Sequence, residues 1–596
     1  MSDIIAFDTI FPLSHYCMTS GCTRNARLML KKSQSRQVVL FTLDRGAVPV
    51  WSTHLYCERM YSIVSPSSSY YFILECKVNY HRNFRVVDKQ RIYHNGIPDI
   101  LQIGEHQFAE TCVINTWISM MLFSWTSATN CARIYNETSQ QLQLGLPTIS
   151  WPFNRAVTST QIYDAFTLLS LLEDCQIQKT TLVVPHKGSL DGANRFTEAV
   201  HARNEQLKLC SQPELFHYCN KCTRFYTGTY SLYGVSSHVI INHCLDLEPN
   251  RKVSVVVIDG VCIGHPCCGV PKCKIPLKST QDRHCPTHKF YDTVCAVIGC
   301  TNPICAGSKV CNLPEHNEAE KMHNDQGKSR FQLRERLKRA QLACPNNSVS
   351  DGITASTEQD DGVEGTTIDT DDFVDSNGEV SFELTPDGRT IPTVADVQTT
   401  SRRLRAQFGR KRTHNEQLFV APCGIIIAQE TFYHSEALSS VIVRTCILSL
   451  ALVMICLQEM IKRTYRLPGT MPEHIFYDNN CNIAKMVKND PAFKNVGLTV
   501  DVFHFKCKHS EKDVFCQEHC NPVAYPELLG TAGQQWFFNS SVAEQTNAWL
   551  GRYHSICREM EVQRYNFFLD EMIRRRNTFT LEKLRQAGAQ PGTRVF

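Results

Sequence analysis

Two consecutive quartets of metal-ligand residues constrain this chain more than any other feature. Cys268-x4-Cys273-x11-Cys285-x2-His288 is followed directly by Cys295-x4-Cys300-x10-Cys311-x4-His316. Three thiolates and one imidazole are the complement of a closed, tetrahedral structural zinc site. A segment spaced in this way can fold around little apolar core, because the free energy of metal binding becomes folding free energy. Nine of the chain's 29 cysteines fall within residues 262–311. Cys267 is an alternative to Cys268, and reduced buried thiols without metal are the competing reading. The opening MSDIIAFDTIFPLSHYC lacks the basic stretch and long apolar core of a secretory signal, which favours metal over disulfides. With no open coordination position, these metals would serve folding rather than catalysis.

Three looser sets have the same residue types. Cys210-x8-Cys219-x2-Cys222 is completed by His243 or Cys244. Cys17, Cys22, Cys57 and Cys76 make a second, with the last pair far apart in sequence. Cys507, His509, Cys516 and Cys520 make a third. Ordinary structural or surface cysteines compete with each.

A length of 596 residues allows several domains. Net charge is only +4, but residues 351–399 hold 13 acids against the single base Arg389, leaving +16 for the rest. A basic body with an acidic tether fits a polyanionic partner. The segment 345–400 reads as a disordered linker. It ends in SRRLRAQFGRKR, whose bases Arg402, Arg403, Arg405, Arg410, Lys411 and Arg412 fit phosphate contacts or nuclear import. A second basic stretch, at 328–340, reads as a helix. The apolar run 446–457 is shorter than the roughly 17–25 residues a bilayer requires, so no membrane association is expected.

Along the chain, helix is expected near 108–135 and over 156–207. KVSVVVIDG (252–260) reads as a doubly buried strand. QLFVA and GIIIAQETFY flank Pro422-Cys423-Gly424 as a hairpin. A helix over about 436–465 follows, then strands HIFYD (474–478) and LTVDVFHF (498–505), then helices over 540–560 and 565–577. Strand, hairpin, helix, strand, strand, helix is the order of the ribonuclease-H-like fold, with a large insertion after the first strand. In such a site acids at strand ends and on a helix hold two magnesium ions about a phosphodiester. Asp259, Asp478 and Glu544 occupy those positions. Each has a plainer explanation: an Asp-Gly turn at Asp259, a helix cap at Asp478, and a capping box Ser541-x-x-Glu544. The apolar stripe of the last helix also puts Glu544 on roughly the opposite face.

FYDNNC (476–481), VDVFHFKCKHSEKDVFCQEHCNP (500–522), WFFNSSVAEQTNAWLGRYHSICREM (536–560) and RYNFFLDEMIRRRN (564–577) together resemble the Kyakuja-Dileera-Zisupton (KDZ) transposases of fungi. The cysteine block, from VIDGVCIGHPCC to CNLPEH, resembles the cysteine-cluster modules found with that family. WISMMLFSWTSATNCARIYN (117–136) resembles part of a second such module. The resemblance implies a DDE-type transposase with Asp259, Asp478 and Glu544 as catalytic acids, and magnesium or manganese as the catalytic metal. Asp501 and His504 match a supporting Asp-x-x-His step.

The expected fold is thus α/β. A ribonuclease-H-like (DDE transposase-type) core carries an inserted zinc-binding cysteine-cluster module, behind an α+β N-terminal cysteine-cluster domain. The expected organisation is an N-terminal module (1–145), a helical region with a Cys/His patch (146–250) and the first core strand (251–261). The inserted cluster with its basic helix (262–340), the acidic linker (341–412), the rest of the core (413–580) and a tail (581–596) follow. The expected partners are transposon-end DNA and further copies of the chain, in the nucleus. The alternative is a catalytically inactive, zinc-dependent DNA-binding protein of transposon origin. A zinc-supported adaptor fits less well, because Cys-x4-Cys differs from its usual Cys-x2-Cys pairs. Residues 58–75 and 443–458 depart from the family pattern and read as translated intron.

Overall fold

The computed structural model describes residues 8–19, 29–57, 60–64, 71–142, 151–186, 194–210, 212–226, 251–270, 273–325, 380–384, 390–392, 403–413, 415–433, 446–509, 513–530 and 535–593. It is a mixed α/β structure that divides into two compact units, residues 1–212 with 566–579 and residues 213–565 with 580–596. The basic stretch 328–340 lies outside the described residues, as does most of the acidic linker. Among the described residues no helix is long and apolar enough to cross a membrane.

The first unit is built on a nine-stranded sheet around the hairpin Lys31–Phe41 and Ala47–Tyr56. Its turn is closed by Gly46, whose positive φ favours glycine. Helices Thr111–Ser124, Ala128–Leu142 and Ser159–Gln178 belong to the same unit. The last begins with a capping box between Thr158 and Gln161. The single helical region expected over 156–207 is instead two helices, Ser159–Gln178 and Thr197–Cys210, separated by the strand Val183–Pro185. Lys179 in the left-handed conformation ends the first of them. Residues 566–579 of the helix Val562–Gln586 join this unit through buried charge. Glu571, fully buried, pairs with Arg203 and with Arg574 at 2.8 Å, while Glu173 takes Arg574 and Arg575.

The second unit is centred on β1 (Arg251–Val261), the strand expected from its β-branched run. β2 (Asn415–Val420) pairs antiparallel to β1, and β3 (Ile426–Phe432) pairs antiparallel to β2. On the other side β4 (His474–Phe476) pairs parallel to β1, and β5 (Gly497–Thr499) parallel to β4. The order is therefore β3-β2-β1-β4-β5. The β2–β3 hairpin turns at Pro422-Cys423-Gly424 as expected, with Gly424 at φ +93°. Alternate residues of β1 face opposite ways. Val256 and Ile258 pack with Phe419, Ile475 and Leu457, the last from α1 (Cys446–Thr464). Val255, Val257 and Asp259 share the other face.

Two elements differ from expectation. β1 runs on through Asp259 to Val261, paired with β2, so Asp259 neither ends the strand nor starts a turn. Of the strand expected over 498–505 only the start is extended. Asp501 accepts hydrogen bonds from Phe503 N and His504 N and so caps the helix α3 (Val502–Lys508). α2 (Asn480–Met486) follows β4, and α4 (Val542–Leu550) carries Glu544 in its first turn.

The buried network of the first unit makes a direct prediction. Glu571→Ala removes the fully buried anion that Arg203 and Arg574 share, leaving them Asp570 and Glu173 respectively, and is expected to cost about 3 kcal/mol. The check is the urea midpoint of the full chain.

Candidate functional site

Asp259 lies near the carboxyl end of β1, Asp478 two residues beyond β4, and Asp501 two residues beyond β5. Because β1, β4 and β5 are parallel, these ends share one edge of the sheet. Asp259, Asp478, Asp501, His504 and Glu544 line one small cleft there. His504 is its hub. Its Nδ1 lies 2.9 Å from Asp478 Oδ1 and 3.1 Å from Asp501 Oδ1, and its Nε2 lies 3.4 Å from Glu544 Oε1. Asn547, one turn beyond Glu544 on α4, donates to Asp259 Oδ2 at 2.8 Å. Asp259 Oδ1 accepts from Gly260 N.

The plainer explanations of these acids do not hold. Ser541 makes no side-chain cap, so the capping box is absent. Asn479 occupies the cap position of α2 without a side-chain capping bond, and Asn480 instead ties β4 to β5 through Ile475 O and Thr499 O. Glu544 does face away from the apolar side of α4, and that exposed side meets the cleft. Asn547 escaped the sequence reading. Its signal is the spacing of three from Glu544, which puts both on one helix face.

Burial pushes the Asp259 carboxyl up to about 6, helped by the charges of Asp478 and Glu544 and opposed by the Gly260 and Asn547 hydrogen bonds. The donor set is all oxygen apart from one imidazole, which fits a hard divalent cation. Asp501 Oδ2 is buried without a hydrogen-bond partner among the described residues, a spare anionic oxygen within that set.

The cysteine clusters form separate sites. Cys268, Cys273, Cys285 and His288 bring one ligand atom each within 4.8 Å of all the others, as do Cys295, Cys300, Cys311 and His316. His288 Nδ1 lies 3.5 and 3.4 Å from the Cys268 and Cys285 sulfurs. His316 Nδ1 lies 3.3 and 3.2 Å from those of Cys295 and Cys311. A tetrahedron with Zn–S of about 2.3 Å has edges of about 3.7 Å, so both quartets fit zinc. Cys268, not Cys267, is the residue in the cluster. Leu404, Ala406 and Phe408 pack against Cys295 and Cys311, and Cys267 pairs with Lys411.

That packing corrects the reading of the basic tract. Residues 403–406 and 411–412 are strands rather than the end of a free linker. Arg410 and Arg412 bind Glu559, at 2.7 and 2.8 Å, and Lys411 is buried. Arg405 stays exposed, whereas Arg402 and the side chain of Arg403 lie outside the described residues.

The looser sets are rearranged. Cys219 and Cys222 join His217 and Cys423; His243, Cys244 and the side chain of Cys210 lie outside the described residues. His217-x-Cys219 was a readable signal; Cys423, at the tip of the hairpin 200 residues away, was not. Cys516 and His509 join Cys481, whereas Cys507 is exposed. Cys17, Cys57 and Cys76 meet, with Cys22 outside the described residues. The strands Met60–Val64 and Tyr71–Glu75 pair with each other, and Cys57 and Cys76 on either side of them meet in the cluster.

Family models for two cysteine clusters match the chain: a CxC5 like cysteine cluster associated with KDZ transposases at residues 5–139, and a CxC6 like cysteine cluster associated with KDZ transposases at 257–322. The chain carries cysteine clusters of the kind associated with KDZ transposases. The KDZ resemblance drawn from the residues agrees with both matches, and the CxC6 span takes in both quartets and Asp259. No curated protein and no solved structure matches the chain.

Two predictions follow from this geometry. Cys423→Ser is expected to remove one zinc equivalent, counted by mass spectrometry of the purified chain. For Asp259, a folded pKa of about 6 exceeds the unfolded value of about 3.9. Its contribution to stability is fully present below about pH 4 and lost as pH rises through about 6. Discounted for partial exposure, the loss is about 1–2 kcal/mol. Asp259→Asn should flatten this slope in urea unfolding with zinc present and magnesium absent.

Proposed function

We propose that the chain is a DDE-type transposase that cuts and joins DNA at transposon ends. The observation that carries this reading is the convergence of Asp259, Asp478 and Glu544 on one cleft at the carboxyl edge of the β3-β2-β1-β4-β5 sheet. That strand order, antiparallel for β1–β3 and parallel for β1, β4 and β5, is the order of a ribonuclease-H-like core. The cysteine module then interrupts the core between β1 and β2. The KDZ-associated clusters support the same reading.

Magnesium or manganese, held by Asp259, Asp478 and Glu544, would supply the positive charge that phosphodiester cleavage needs and acidify the attacking hydroxyl. The protein's own part is positional. Asn547 fixes one oxygen of Asp259, and the His504 ring spaces Asp478 from Glu544. Asp501 orients His504 while capping α3. The zinc clusters maintain the fold of the module that flanks β1. Arg405 and the basic charge outside the acidic segment favour DNA as partner. The enzyme acts in the nucleus as a homo-oligomer, since joining two element ends calls for at least two active sites.

Asp478→Asn is expected to reduce manganese- or magnesium-dependent nicking of element-end DNA about a hundredfold or more, a barrier increase of at least about 2.7 kcal/mol. Salt-sensitive DNA binding with no nicking by the natural chain under either metal would replace this reading with that of a non-catalytic DNA-binding protein.

A further inference from the structure

A fifth cluster stands directly behind the proposed active site. Cys481 Sγ, Cys516 Sγ and a ring nitrogen of His509 lie within 4.8 Å of one another. His509 Nδ1 is 3.2 Å from Cys516 Sγ, and its Nε2 is 3.0 Å from the backbone oxygen of Asp478. A carbonyl only accepts, so Nε2 carries the proton and Nδ1 presents its lone pair to the thiols. An imidazole whose second nitrogen donates to a backbone carbonyl is the usual arrangement of a metal-bound histidine. In both quartets, too, it is Nδ1 that faces the sulfurs. Cys516 is fully buried, and Cys520, one turn further along, is buried in the same apolar cluster with Cys481 and Cys516. Cys507 is exposed.

We propose that Cys481, His509 and Cys516 bind a zinc ion whose role is to hold the second acid, Asp478, in place. Thiolates and one imidazole select zinc over magnesium. The ion would connect three separate segments. Cys481 sits in the first turn of α2, three residues past Asp478. His509 ends α3, which also carries His504. Cys516 lies in the helix Val514–His519, capped by Asp513. The His509 bond then reaches the Asp478 backbone itself. Zinc here fixes the end of β4 relative to α3, and with it the spacing between Asp478 and His504. His509 is thus a positioning residue. This inference rests on Asp478 being a ligand of the catalytic cation, but its metal site stands independently.

The test uses the purified full chain. Cys481→Ser and Cys516→Ser should each lower zinc by one equivalent, whereas Cys507→Ser should not. Manganese affinity of the acidic cleft, followed by electron paramagnetic resonance, should weaken about tenfold in Cys516→Ser and recover in Cys516→His, which restores a ligand. Should the serine variants fail to fold, alkylation of the natural chain decides. Cys507 should label at once, and Cys481 and Cys516 only after a zinc chelator is added. Unchanged zinc in both serine variants, or protection of Cys481 and Cys516 that ignores the chelator, overturns the site. Lost zinc with unchanged manganese affinity overturns its positioning role. A chain that passes all of these yet never nicks DNA sinks the transposase reading and leaves the metal site standing.

Discussion

Four carboxylates drawn into one half-buried cleft repel one another and lose part of their hydration. The second unit is organised around resisting that cost. Its size is visible at Asp259, whose carboxyl is pushed up to about 6, first by burial and then by Asp478 and Glu544. A flexible chain would relax by moving the acids apart. Here β1 is held on both sides by hydrogen-bonded neighbours, Asn547 grips one oxygen of Asp259, and His504 stands between Asp478 and Glu544. The cluster is thus strained electrostatically and rigid mechanically. A hard divalent cation bound there would relieve the repulsion.

The same frame tolerates a very large insertion. β1 ends at Val261 and pairs with Glu416 of β2, so both ends of the intervening chain emerge side by side. The cost of closing a loop grows only slowly with its length, and the cysteine module within it has its own means of folding. Each quartet draws four ligands from a short span, and residues 404–408 return to complete the core around Cys295 and Cys311. The segment between Cys57 and Cys76 follows the same logic at smaller scale. Its two strands pair with each other and leave the cluster at their base intact.

How far sequence reading reached depended on the separation of the partners. Both quartets were legible, ligand by ligand, because all eight residues lie within 49 positions and the spacing itself carries the information. β1 was legible from its β-branched run, and the hairpin from Pro422-Cys423-Gly424. The strand expected over 498–505 was misread because its apolar pattern suits either state, and Asp501 decides for helix by capping it. The tract 403–412 was expected to end a free linker and is instead ordered, because Glu559, the counter-charge of Arg410 and Arg412, lies some 150 residues downstream. Cys423 was invisible as a cluster member for the same reason, whereas Cys481 lies only 28 positions from His509 and was missed because no short Cys-x-Cys spacing ties it to the set.

The chain's sequence alone determined which residue types could bind soft and hard cations, and where local spacing sufficed to gather them. Only the tertiary structure decided which distant side chains meet. Cys423 reaches Cys219 because a hairpin carries it there, and Asp259 meets Asp478 because β1 and β4 run parallel with their carboxyl ends on one edge. Ligand chemistry is a property of single residues and short spacings. Convergence is a property of strand order and register, which depend on the packing of the whole sheet.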